Sequence, residues 1–324
     1  MGLFAVLLQL FLATAAFAQR GAADHSSEPQ YERQKAAIDA YFQRLANSID
    51  PTERALHLLH IAPHTEPREF AELGRQWELS NPSPQAIHIL ASTACSWVRM
   101  AACSDALFAR WSQQDPDNAY IWAIAANRAE RMGRNEQAER RIARTMASTR
   151  FDAGFWTVLS ALRNSLQSDA EFSQLSPSTR ALAALDIAAT TGMPIFNDVD
   201  QLCPRNGPMV NADRIGVCLH LGQLMLYQSN HRLSANHGHL IIDLTAADED
   251  ERTVARQHWE HWQALAAQIA ADRRLQADPV TAAASNDINL YLQQILELGE
   301  MEAMIHWLAE TAQLDANVVA VSAR

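Results

Sequence analysis

Apolar and polar positions along this chain recur with a helical period through most of its length. In residues 117–148, DNAYIWAIAANRAERMGRNEQAERRIARTMAS, Trp122 and Ala126 space one apolar face, Gly133 interrupts it, and Ala138 and Ile142 resume it. The run Asp115-Pro116-Asp117-Asn118 ahead of it supplies a turn and a cap, so the pattern predicts a helical hairpin with its bend at Gly133. Leu298-Gly299-Glu300 reads as a second such bend, and Leu73-Gly74-Arg75 as a third. From about Thr245 to Gln276 the pattern predicts one long helix. Thr245 caps it, Asp248 to Glu251 lie at its positive end, and Arg273 and Arg274 at its negative end. Residues 197–213, with Pro204, Gly207 and Pro208, form the clearest loop and the candidate sub-boundary of the chain.

Composition supports the same class. Glycine is scarce, 11 in the chain, and Ala, Leu, Gln, Glu and Arg dominate, which favours helices over sheets. Alternating β-branched runs are hard to find. The expected fold class is all-α, an array of antiparallel helix hairpins with irregular hairpins at both ends.

The amino terminus changes the picture of where the protein acts. An apolar run from Leu3 to Phe17 ends in Ala16-Phe17-Ala18, the small-x-small pattern of a signal-peptidase site, and is shorter than the roughly 20 residues that span a bilayer. No Lys or Arg precedes it. The expected organisation is therefore a signal peptide over 1–18, a disordered leader over 19–30, a helical-repeat domain over 31–315 and a frayed tail over 316–324. The expected location is the periplasm or the exterior, with no membrane span in the mature chain.

Charge and cysteine usage narrow the function classes. Twenty-six basic against 37 acidic residues give a net charge of −11, which argues against nucleic acid and anionic membrane as partners. Lys35 is the sole lysine, so a GxxxxGK[ST] phosphate loop and a buried Schiff-base lysine are excluded over the body of the chain; GxGxxG and GxSxG are absent as well. The four cysteines, Cys95, Cys103, Cys203 and Cys218, fall into two local pairs with no CxxC spacing, which in an exported chain reads as two disulfides.

Several constellations invite chemistry. His237, His239, His258 and His261 could converge on a metal, but their spacing is not HExxH, and His258 shares an apolar stripe with Val254, Trp262, Leu265 and Ile269. His57 and His60 carry the same ambiguity. The acidic run 248–251 lacks the EF-hand spacing and is explained by the helix dipole. Arg128, Arg131, Arg134, Arg140, Arg141 and Arg144 suggest an anion-binding face, against which Glu130, Glu136 and Glu139 suggest a salt-bridged, solvated one. Eight tryptophans suggest sugar stacking, against a role in the core. No catalytic set, metal or cofactor is singled out.

A period of 34 relates Trp122 to Trp156, Ile142 to Phe108 and Arg150 to Pro116. On Trp122, Ala126, Gly133, Ala138, Ile142 and Pro116, residues 85–165 resemble the tetratricopeptide repeat family. Ala129 stands where an aromatic is usual, Arg150 replaces a closing proline, and the register is lost near Ser176. The resemblance implies an α-solenoid in which the first helix of each hairpin lines a concave face, placing Thr93, Tyr120, Asn127 and Asn164 on or near a groove for a polar peptide. The lack of lysine there disfavours the subclass that clamps a carboxy-terminal carboxylate. The 34-residue register also sets Arg99 against Gly133, which provides the chain reversal that a Cys95–Cys103 bridge requires; Cys203 pairs with Cys218 across the Pro- and Gly-containing loop. The functional expectation is an exported, non-catalytic protein- or peptide-binding scaffold. The alternatives are a metal-dependent envelope hydrolase built on the histidines of 231–261 and a cell-wall glycan-binding factor.

Overall fold

In a computed structural model of the chain the described residues are 28–80, 82–95, 103–191, 196–203, 214–272, 275 and 286–310, with side chains described for these except at 28–35, 63 and 93. The segments expected to be a signal peptide and a carboxy-terminal tail, and most of the expected leader, lie outside them, but residues 28–30, assigned to the leader, already belong to the first helix.

All regular elements among the described residues are helices. They are α1 (Glu28–Ala46), α2 (Pro51–Ile61), α3 (Pro67–Glu78), α4 (Pro84–Ala94), α5 (Asp105–Gln114), α6 (Ala119–Arg131), α7 (Asn135–Ala147), α8 (Phe155–Ser168), α9 (Pro177–Thr191), α10 (Asn197–Leu202), α11 (Ile215–Tyr227), α12 (Arg232–Thr245), α13 (Glu249–Ala271), α14 (Asp287–Leu298) and α15 (Glu300–Glu310). The all-α class is as expected. No described helix is long and apolar enough to cross a membrane.

Helix starts follow from local chemistry. Asp50, Ser83, Ser104 and Asn118 each accept a backbone N–H of the first turn, and Pro51 and Pro84 occupy positions where no N–H is needed. The predicted hairpin is α6–α7. Its bend is closed by Gly133, at φ +68°, whose N–H reaches Glu130 O at 2.8 Å while Arg134 N–H reaches Ala129 O at 2.9 Å. That pair of bonds is a Schellman closure, which needs the left-handed residue that glycine supplies. Gly299, between α14 and α15, also has a positive φ of +87°, but its ψ of 162° makes it an extended turn and not a left-handed helical closure.

Other boundaries differ from expectation. Gly74 lies buried inside α3, so Leu73-Gly74-Arg75 is helix interior and not a bend. Residues 197–202 of the expected loop form α10. The long helix begins at Glu249, capped by Asp248, whose carboxylate accepts Asp250 N–H at 2.9 Å; Thr245 instead ends α12 and donates to Ile241 O. The long helix thus starts four residues later than expected and ends at Ala271.

The chain divides into two compact units, each discontinuous in sequence, and the division falls elsewhere than 197–213. One unit comprises Met1–Ser48, Leu159–Thr191 and His261–Arg324. In it α14 packs on α15 and on α9, Tyr41 meets Phe172 at 5.5 Å, and buried Trp307 donates to Asp272 at 2.9 Å. The other unit comprises Ile49–Val158 and Gly192–Glu260. Its contacts run α2 on α4, α4 on α5, α5 on α6, α6 on α7 and on α10, α7 on α11, and α11 on α12.

The α11–α12 contact explains a glycine in the histidine motif. Gly222 and Gly238 face each other so closely that a β-carbon on Gly238 would lie 2.5 Å from Gly222 O and 2.6 Å from Leu226 N. Gly238 is therefore a helix-packing residue, and His237 and His239 stand on either side of a backbone crossing.

Candidate ligand-binding face

Two of the four residues expected on a groove do not reach solvent. Tyr120 is 1% exposed, with its ring 6.3 Å from Trp111 and 5.5 Å from Phe151. Burial, with Asp198 and Asp152 adding to it, raises its hydroxyl far above the usual phenol range. Asn127 is 3% exposed and donates through Nδ2 to Asp198 Oδ1 at 2.7 Å, where Asp198 is itself 1% exposed. The expected role of Tyr120 and Asn127 in an open groove is thus overturned. The cause is α10: a segment taken for a loop folds into a helix that covers this face of α6. Asn164 is exposed, and the side chain of Thr93 lies outside the described residues.

The histidines have separate surroundings. His231 packs 4.8 Å from Phe155 and 5.4 Å from Trp156, and burial pushes it down to about 3. Nε2 of His237 lies 2.9 Å from Asp200 Oδ1, with its ring 4.5 Å from Phe196. His239 stacks over Trp259 at 6.2 Å, and His258 meets Tyr227 at 4.9 Å. His57 and His60 are half-buried in α2. Among the described residues no group of three His, Cys, Asp or Glu side chains is placed to hold a metal ion. The acidic run 248–251 is engaged locally, Glu249 with Arg252 and Glu251 with Gln223.

Both disulfides are present, Cys95–Cys103 and Cys203–Cys218. The first brings α-carbons eight residues apart to 4.6 Å, where a straight helix would hold them about 12 Å apart. The proposed reversal point, Arg99, lies outside the described residues.

Of the seven tryptophans described, Trp77, Trp111, Trp259, Trp262 and Trp307 are buried. Trp122 and Trp156, expected at core positions, are instead half-buried, and their indole N–H groups donate to Pro116 O and Asn230 O, each at 2.7 Å.

The arginine run combines ion pairs with ring contacts. Within the run's surroundings Glu136 lies 3.7 Å from Arg140, both largely exposed, and Glu130 is taken by Arg214. Arg128 donates to Cys103 O at 2.8 Å, with Asp105 at 3.4 Å, and Arg141 donates to Ala125 O at 2.7 Å. The Arg141 guanidinium sits 5.1 Å over the Phe108 ring and that of Arg144 5.9 Å over Trp122, while Phe108 and Trp122 meet edge-on at 6.1 Å. Burial holds Arg128 and Arg141 below the usual arginine value; Asp105 opposes it at both, Arg134 adds to it at both, and Arg128 and Arg140 add to it at Arg141. Sequence reading missed the pairing of Phe108 with Arg141. The 34-residue register carried the signal, since it aligned Phe108 with Ile142, the neighbour of Arg141.

Comparison with protein-family models, with curated proteins and with solved structures returns no match.

Proposed function

We propose that the chain is an exported helical-repeat protein of the tetratricopeptide kind that binds another protein or a peptide in the cell envelope and performs no catalysis of its own. The observation that carries this is contact between equivalent positions of successive hairpins. Asn118 bonds through its side chain to the backbone of Asp152, 34 residues on, and pairs in parallel with Arg150. An array whose units stack in register brings residues one repeat apart together in this way.

The two disulfides favour an oxidising compartment, and the apolar amino terminus ending at Ala18 favours export. Stacked hairpins leave helix faces rather than a closed pocket, which suits an extended ligand. The scattered surroundings of His231, His237, His239 and His258 and the burial of five tryptophans give less support to a hydrolase or a glycan binder.

Cross-linking in the native envelope, followed by identification of co-purified proteins, tests the reading. A reproducible protein adduct in stoichiometric yield supports it. Hydrolysis of an envelope polymer by the purified protein, with no adduct, would replace it with the enzyme reading.

A further inference from the structure

We propose that the face formed by Phe108, Trp122, Arg134, Arg141 and Arg144 binds an acidic peptide segment, its carboxylates on the guanidiniums and an apolar side chain on the two rings. The proposal rests on the peptide-binding reading above and names the ligand's chemistry.

Charge makes the first part of the case. Residues 119–147 hold six arginines against three glutamates, in a chain whose net charge is −11. Arg214 takes one of those glutamates, Asp105 faces Arg128 and Glu136 faces Arg140, while Arg141 donates to an uncharged carbonyl oxygen. The hairpin therefore carries a net positive charge inside an acidic protein. A long polyanion meets repulsion from the rest of such a chain, and a short acidic segment confined to this face meets less of it.

Preorganisation makes the second. A free surface arginine loses much rotamer entropy on binding, but Arg141 is already held by Ala125 O and the Phe108 ring, and Arg144 lies over Trp122. The bond to Ala125 engages one nitrogen of the Arg141 fork, and guanidinium forks match carboxylates in geometry. The adjoining half-buried rings supply apolar contact that an inorganic anion would not use.

The test is fluorescence anisotropy of the mature, oxidised protein with a labelled peptide of glutamate, phenylalanine and serine, beside its glutamine-for-glutamate counterpart. The glutamate peptide is expected to bind, with the counterpart at least about tenfold weaker. Arg134→Glu combined with Arg144→Glu is expected to weaken the glutamate peptide by a similar factor with the helical circular-dichroism signal unchanged. If that variant loses helicity, the exposed Arg134→Gln replaces it, with a loss of about threefold expected. Equal binding of both peptides, unchanged affinity in the folded variant, or binding to phosphatidylglycerol vesicles in place of the peptide would each overturn the proposal. Envelope adducts that persist in the variant would remove the acidic-peptide face and leave the peptide-binding reading standing; the absence of adducts in the parent protein would remove that reading itself.

Discussion

The side-chain amide of Asn118 is bonded on both sides to Asp152: Nδ2 donates to the Asp152 carbonyl at 2.8 Å and Oδ1 accepts the Asp152 N–H at 3.0 Å. The same amide caps α6 through Tyr120 N–H and donates to Asp115 at 2.8 Å, while Arg150 pairs with Asp115. One fully buried side chain thus joins the turn before α6 to the segment between α7 and α8. Asn118→Ala leaves several buried backbone groups unpaired and is expected to lower the unfolding free energy by about 2 kcal/mol or more. Urea denaturation followed by circular dichroism measures it, and a loss below about 0.5 kcal/mol would show that the junction contributes little.

Asn127 and Asn164 should behave in opposite ways. Asn127→Leu takes a donor from buried Asp198 and is expected to cost about 3 kcal/mol, whereas exposed Asn164→Ala should stay within about 0.5 kcal/mol. Thermal melts of the two variants compare them directly. Equal melting temperatures would place Asn127 on an open surface after all.

Acid should destabilise the protein through His231. Its folded value, about 3, lies below the ordinary value near 6.5, so the unfolded chain binds the proton more readily. The stabilising contribution is complete above that ordinary value and is lost as pH falls from about 6.5 toward about 3. Arg232 acts in the same direction and Asp152 against it, and buried His88 is shifted the same way. Unfolding free energy is expected to fall by about 2 kcal/mol between about pH 7 and pH 5, and His231→Gln should flatten that slope. An unchanged slope in the variant would assign the acid sensitivity to other groups.

Each disulfide should stabilise on the order of 3 kcal/mol or less, the shorter Cys95–Cys103 loop less than the Cys203–Cys218 loop. Peptide mapping without reduction is expected to recover both linkages. Free thiols at all four positions in protein from the native host would contradict both the bridges and the oxidising compartment.

Local chemistry made much of the fold legible in the sequence. Gly133 marks a real bend because a helix closed by a left-handed residue needs glycine, Gly299 turns the chain at a positive φ that glycine also favours, and the spacing around Trp122 gave the α6–α7 hairpin. Gly74 misled because a glycine can also sit buried within a helix. The binding face was harder to read. Tyr120 and Asn127 look like groove residues until α10 is placed, and α10 is six residues long, bordered by a cysteine and a proline-rich stretch that signal a loop. Nor could spacing along one helix show that Arg141 lies over Phe108, because that contact spans two hairpins. The arginine run was visible, but which glutamates neutralise it depended on tertiary partners such as Arg214.

The most direct measurement is site-directed photo-cross-linking from position 134, in the native envelope, with mass-spectrometric mapping of the adduct. The account predicts an adduct to an envelope protein through a segment rich in Asp and Glu, lost when Arg144→Glu is introduced alongside. An adduct confined to lipid or glycan, or a protein adduct that maps to a basic or uncharged segment and survives Arg144→Glu, would contradict it.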